Sequence, residues 1–233
     1  MIVFNATEHT YTNIHTGEVY PSVTQTISQF KHPFDEDGIS RMVAARRGVP
    51  QAQVLAEWKA TKDYACEYGT KVHASVEAFL KGTDYDPVHE PIITAFKQAF
   101  PKKVKDGVLS EHLVYDHIYK IAGTADIISP EGKYFDVFDI KTNDAIKTFS
   151  PYHNYLKAPV DHLSECELNV YALQLSIYAI FYQRMTGRIP RSLTIFHIDK
   201  ETFALTKYPL PYMKLEALSI LSHANSRGSS TRK

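Results

Sequence analysis

The chain has 233 residues, of which 44% are hydrophobic and 22% charged, and its 26 basic side chains balance 26 acidic ones. That length supports a substantial core, and the zero net charge excludes a global basic field, so any nucleic-acid-binding surface has to be local. Two widely separated cysteines, Cys66 and Cys166, fit a reduced compartment and exclude a structural zinc site; with no apolar leader and no membrane-length apolar run, the sequence reads as a soluble cytoplasmic protein without a membrane partner.

Residues 2–21 alternate apolar and polar side chains about a His-Thr-Gly-Glu turn, which predicts a short antiparallel hairpin. Ser22 is a candidate helix N-cap, with Val23, Ile27 and Phe30 following at helical spacing. A second helical segment over about 35–47 closes at Gly48 and Pro50. Residues 50–80 are again helical in pattern, with Val54, Trp58 and Tyr64 expected as buried anchors and Gly69 as a break between two helices. The second of these carries GTKVHASVE at 69–77, which places His73 and Glu77 on one helical face. Taken alone, a helical histidine is more often a core or surface residue than a ligand. A further helix is expected over 90–100, followed by Lys102, Lys103 and Lys105, which suit either phosphate contacts or a solvated helix end.

Three strands are expected at 111–115, 119–128 and 134–142, close enough in sequence to form an antiparallel meander. Glu111 opens the first, either as an acid near a metal or as an exposed strand-start carboxylate; His112, Asp116 and His117 read as surface residues. Asp126 and Asp139 fall on neighbouring strands, and Lys141, two positions beyond Asp139, projects to the same side of the sheet. Two acids and an amine at one point suit phosphodiester hydrolysis, because carboxylates hold hard divalent cations and the lysine orients a water or offsets charge on the phosphate.

Residues 143–162 form a long segment of weak periodicity in which Lys147, Tyr152, His153, Tyr155 and Lys157 mix basic and aromatic groups. That mixture suits tracking phosphates and stacking bases, and equally suits a plain exposed loop. A helix over 163–185, apolar on most faces and stopped by Gly187, belongs against the sheet. Gln174 and Tyr178 share one of its faces, and a buried amide there needs a partner. Strands at 193–198 and 203–208 and a helix at 212–223 complete the pattern.

Together these motifs resemble the PD-(D/E)XK nuclease superfamily, in Gly123 and Asp126 followed by Asp139-Ile140-Lys141 and Thr142. GTKVHASVE at 69–77 and the Q-x-x-x-Y of Gln174 and Tyr178 resemble its RecB-type branch, and HTYTNIHTGEVYPSVT at 9–24 is similar to phage and mitochondrial genome maintenance exonucleases. The resemblance implies an α/β (α+β) fold: a restriction-endonuclease-like core at 69–224 with a mixed sheet flanked by helices, a mainly helical accessory region at 1–68 and a disordered basic tail at 225–233. It implies Mg2+ or Mn2+ held by His73, Asp126, Asp139 and the Ile140 carbonyl, with Glu111 near the metal. Lys141 positions the attacking water, while Gln174 and Tyr178 support the scissile strand or the motif residues. The implied activity is exonucleolytic hydrolysis of DNA from single-stranded ends in repair, recombination or phage DNA processing. A structure-specific endonuclease and an inactive nucleic-acid-binding module of the same fold are the alternatives, and no protein partner is named by the sequence.

Overall fold

A computed structural model describes residues 1–5, 8 and 10–230, with side chains described through residue 224. Strands β1 (Ile2–Asn5), β2 (Thr10–Asn13) and β3 (Val19–Tyr20) form a small antiparallel sheet. The expected hairpin thus carries one strand more, while Ala6, Thr7 and His9 lie outside the described residues. Helix α1 (Val23–Ser28) starts on a reciprocal cap in which the Ser22 hydroxyl accepts from the Gln25 N–H and the Gln25 side chain accepts from the Ser22 N–H. Val23, Ile27 and Phe30 are buried, as their spacing predicts.

Helix α2 (Glu36–Arg47) is capped by Asp35 and ends at Gly48, whose φ of 66° is a left-handed stop. The 50–80 region differs from its reading. Helix α3 (Gln51–Lys81) runs unbroken through Gly69. An interior glycine costs a helix only about 1 kcal/mol against alanine, and a Cβ at Gly69 would lie 3.3 Å from the Thr142 hydroxyl, so the missing side chain lets the helix pass close to the end of a core strand. Before Gly69 only Val54 of α3 is buried; Trp58 is half-buried and Tyr64 is 62% exposed, because this half packs mainly on α2 and not on the sheet. After Gly69, Val72, Val76, Phe79 and Leu80 enter the core beside helix α4 (Glu90–Ala99).

The main sheet has the order β4 (Leu109–Asp116), β5 (Ile121–Glu131), β6 (Tyr134–Lys141), β7 (Ile189–Ile198), β8 (Leu205–Leu210). The first three strands form the expected antiparallel meander, β6 and β7 are parallel, and β8 returns antiparallel. The crossover between the parallel strands is helix α5 (Glu167–Thr186), which begins later than expected because residues 142–166 are nearly all loop. Helix α6 (Lys214–Ser230) continues past the expected end at 223 into the stretch read as a tail, and residues 231–233 lie outside the described residues. The chain is therefore a mixed α+β protein with a five-stranded mixed sheet flanked by helices. Among the described residues no helix is long and apolar enough to cross a membrane.

Each sheet face has its own core. Helices α1, α5 and α6 cover one face with Phe135, Val137 and Ile195 beneath them, and the C-terminal half of α3 with α4 covers Ile127, Ile140 and Phe196 on the other. On that second face the small sheet packs Tyr11 and Tyr20 against Ala122, Leu113 and Tyr115. Asp116, read as a surface residue, is buried: Arg184 of α5 donates to it at 2.6 Å, and the N–H groups of Ile118 and Tyr119 close its turn. His112 is half-buried beside the Tyr182 ring, whereas His117 stays exposed.

Candidate functional site

The sheet is irregular where the acids gather. Pairing of β4 with β5 runs through Ser110↔Ile127 and His112↔Ala125, which sets Glu111 opposite Asp126. Glu111 has a φ of 48°, a left-handed conformation costing a residue with a Cβ about 1–3 kcal/mol. Both strands roll over at this pair: Leu109 and Val114 face the same core, as do Ala125 and Ile128, although strict alternation would put the members of each pair on opposite faces. On the other side, pairing of β5 with β6 extends only to Ile127↔Phe138, leaving Asp126 and Asp139 just past its end. Asp126 instead turns its Oδ2 to the backbone N–H of Ile140, 2.7 Å away.

Helix α3 brings His73 to this opening. Its Nε2 lies 3.0 Å from the Ile140 carbonyl oxygen and its Nδ1 3.4 Å from Asp126 Oδ2. Ile140 thus joins the two side chains through its backbone while its own side chain is buried among Val72, Val76 and Phe196. His73, Glu111 and Asp126 each offer a donor atom, and these atoms all lie within 4.8 Å of one another.

Helix α5 supplies the other side. Asp139 is 2% exposed; its Oδ1 accepts from Gln174 Nε2 at 3.3 Å and its Oδ2 is ion-paired with Lys141. Gln174 Nε2 also donates to the Tyr178 hydroxyl at 3.1 Å. The Lys141 ammonium sits 4.9 Å from the Tyr171 ring centre, in cation–π range. A Cβ on Gly123 would come within 2.6 Å of the Tyr178 ring and 3.2 Å of Val23, so only glycine lets that ring reach the sheet.

Burial first, and then Asp126, raise the Asp139 carboxyl above its ordinary range, with Lys141 opposing them. For Lys141 burial works toward the neutral amine, but Asp139 and Asp126 outweigh it and the net shift is upward, so the ammonium is retained. Glu111 is pushed up to about 8 by desolvation and then by Asp126, Glu77 and Asp139. Because the residue is open to solvent on one side, the like charges are the firmer cause. Concentrated negative charge with one nitrogen and several hard oxygen donors is a donor set that fits Mg2+ or Mn2+.

The fold brings the sequence-derived residues together, in an arrangement the motifs do not reveal. Glu111 joins His73 and Asp126 in the close trio, whereas Asp139 stands outside it, held by Gln174 and Lys141. The Ile140 carbonyl, expected as a ligand, lies within hydrogen-bonding distance of the His73 ring. Tyr171 belongs to none of the motifs, although Tyr171, Gln174 and Tyr178 form one stripe at helical spacing.

No protein-family model matches the sequence, and no curated sequence matches it either. Among solved structures the chain is similar to the crystal structure of SSO0001, at 15% identity over 89% of this chain and 85% of that one, with a TM-score of 0.38. It is also similar to a candidate exonuclease from Eubacterium rectale, at 12% identity over 89% of this chain and 79% of that one, with a TM-score of 0.42.

Proposed function

We propose that this chain is a metal-dependent nuclease that hydrolyses phosphodiester bonds from the ends of single-stranded DNA. The observation that carries this reading is the trio of His73, Glu111 and Asp126, with donor atoms within 4.8 Å of one another, beside the Asp139–Lys141 ion pair. The trio would hold Mg2+ or Mn2+, and its nitrogen donor favours manganese. When bound, the cation supplies Lewis acidity that lowers the pKa of water and offsets charge on the phosphate.

Lys141 presents a fixed positive charge to the attacking water or to a phosphate oxygen, and it is held by Asp139 on one side and Tyr171 on the other. Gln174 fixes the Asp139 carboxylate that in turn aims Lys141. Burial keeps the Tyr178 phenol protonated, so its oxygen is a neutral acceptor for Gln174 and adds no further charge to an acidic site.

The test is a time course on end-labelled linear and circular DNA, single- and double-stranded, with Mg2+, Mn2+ or EDTA. Metal-dependent digestion of linear single strands, with circles left whole, is the expected result. Cut circles would overturn the requirement for an end, and no cleavage of any substrate with either metal would overturn the nuclease reading.

A further inference from the structure

A cavity of about 510 Å3 shares Tyr171 with the site but has no part in the proposed hydrolysis. Its lining includes Lys31 and Phe34 from the linker between α1 and α2, Lys147 and Tyr152 from the loop after β6, and Tyr171 from α5. A smaller cavity of about 330 Å3 shares Lys31 and Tyr171 with it and is lined also by Lys141 and Gln174. Lys31 and Tyr171 are thus walls of both cavities, and the smaller one reaches Lys141 and Gln174, the two partners of Asp139.

The walls are fixed while their rings stay open. The backbone N–H of His32 donates to Glu165 Oε2 at 3.1 Å, its ring Nδ1 lies 2.8 Å from the same oxygen, and the Lys157 N–H donates to the Phe30 carbonyl at 2.7 Å. Yet Phe34 is 62% exposed and Tyr152 71% exposed. Phe34 rests against Trp58 with ring centres 5.9 Å apart, which holds the ring without covering it. Two large aromatic rings left bare at one cavity offer faces on which a planar group can stack.

Charge narrows the occupant. Asp35 caps α2, Glu165 holds His32, and Glu167 pairs with Lys147 at 3.5 Å, so each acid of this lining is engaged within the protein. The Lys31 ammonium makes no ion pair among the described residues, and Lys31 lines both cavities. Such a site suits an uncharged planar ring carrying an anion on its outer side. The volume lies within the range of roughly 300–1,000 Å3 typical of ligand pockets.

We propose that the cavity is a subsite for a nucleobase of the bound strand, near the scissile phosphodiester, with the base lying against Phe34 and Tyr152 and its phosphate at Lys31. The proposal rests on the nuclease reading above. It also supplies a reason for single-strand preference, since a base held by protein rings has left its duplex stack.

The test moves one fluorescent adenine analogue along a single-stranded oligonucleotide and follows binding in EDTA, where cleavage is prevented. Wild type, Phe34→Ala and Phe34→Tyr are compared, with melting curves confirming that the exposed-site variants fold. One position should report a stacked base in wild type and in Phe34→Tyr but not in Phe34→Ala, and Phe34→Ala should bind about tenfold more weakly. With Mn2+, Phe34→Ala should raise KM and leave kcat near wild type. If wild type cleaves and binds but no position depends on Phe34 and the affinities are equal, the subsite is overturned alone. If wild type neither binds nor cleaves, the nuclease reading fails and the subsite with it.

Discussion

His73 points its Nε2 at the carbonyl of Ile140, 3.0 Å away, while its Nδ1 faces Asp126 Oδ2 at 3.4 Å. A carbonyl only accepts, so the contact calls for a proton on Nε2, and in the neutral ring that tautomer leaves Nδ1 with a lone pair for a cation. Ile140 also donates its N–H to Asp126, so a single residue in β6 orients a nitrogen donor and an oxygen donor together.

His73→Ala should therefore weaken Mn2+ binding by at least about tenfold, equivalent to ~1.4 kcal/mol. The rise in melting temperature that Mn2+ gives wild type should shrink at equal metal concentration. An unchanged Mn2+ titration would remove His73 from the ligand set.

Glu111 gives a pH-dependent consequence. Its carboxyl is raised to about 8 in the folded protein, through desolvation and the charges of Asp126, Glu77 and Asp139. A carboxyl raised on folding favours the native state below its unfolded value near 4.3, and that advantage is lost as pH climbs through about 8. Without metal, wild type should lose stability over that window relative to Glu111→Gln, so that the variant gains on it as pH rises to 9. Parallel melting curves for the two proteins from pH 5 to 9 would show that Glu111 is not crowded by charge.

Asp136 should behave in the opposite sense. Burial works to raise its carboxyl, but Arg191 and Ser192, donating at 3.0 Å and 2.7 Å, outweigh it and the net shift is downward. A lowered carboxyl stabilises the fold above its unfolded value near 3.9, and this is lost as pH falls through the folded value. Removing a partner from a buried acceptor costs about 1–3 kcal/mol, so Arg191→Ala should melt lower at pH 7 and approach wild type in acid. A difference independent of pH would assign the loss to packing alone.

Packing at the site is tested at Gly123. The Cβ introduced by Gly123→Ala meets the Tyr178 ring at 2.6 Å, and overpacking of this kind costs about 1–3 kcal/mol. At roughly 2–4 °C per kcal/mol for a chain of this size, the melting temperature should drop by several degrees. In a double-mutant cycle Tyr178→Ala should relieve much of the loss; strict additivity would show that the two residues do not meet.

Strand alternation placed Asp139 and Lys141 on one side of β6, and close spacing gave the β4–β5–β6 meander, because both signals are local. The Ser22 cap and the Gly48 and Gly187 stops were legible for the same reason. Gly69 misled, since whether a glycine breaks a helix depends on what packs across from it, here Thr142. The separation of Asp139 from the His73, Glu111 and Asp126 trio was not legible, because it arises from a left-handed residue at Glu111 and an early end to the β5–β6 ladder. Neither leaves a composition signal. Tyr171 was legible in principle, as the third member of a helical stripe with Gln174 and Tyr178.

The most direct test of the central claim is metal-dependent release of label from linear single-stranded DNA by wild type and Lys141→Ala side by side, with equal folding confirmed by melting. Lys141 is the positive charge held between Asp139 and Tyr171, and its loss should reduce cleavage by at least about a hundredfold while strand binding in EDTA persists, in line with removal of one transition-state charge donor. Cleavage by Lys141→Ala at the wild-type rate would contradict the account.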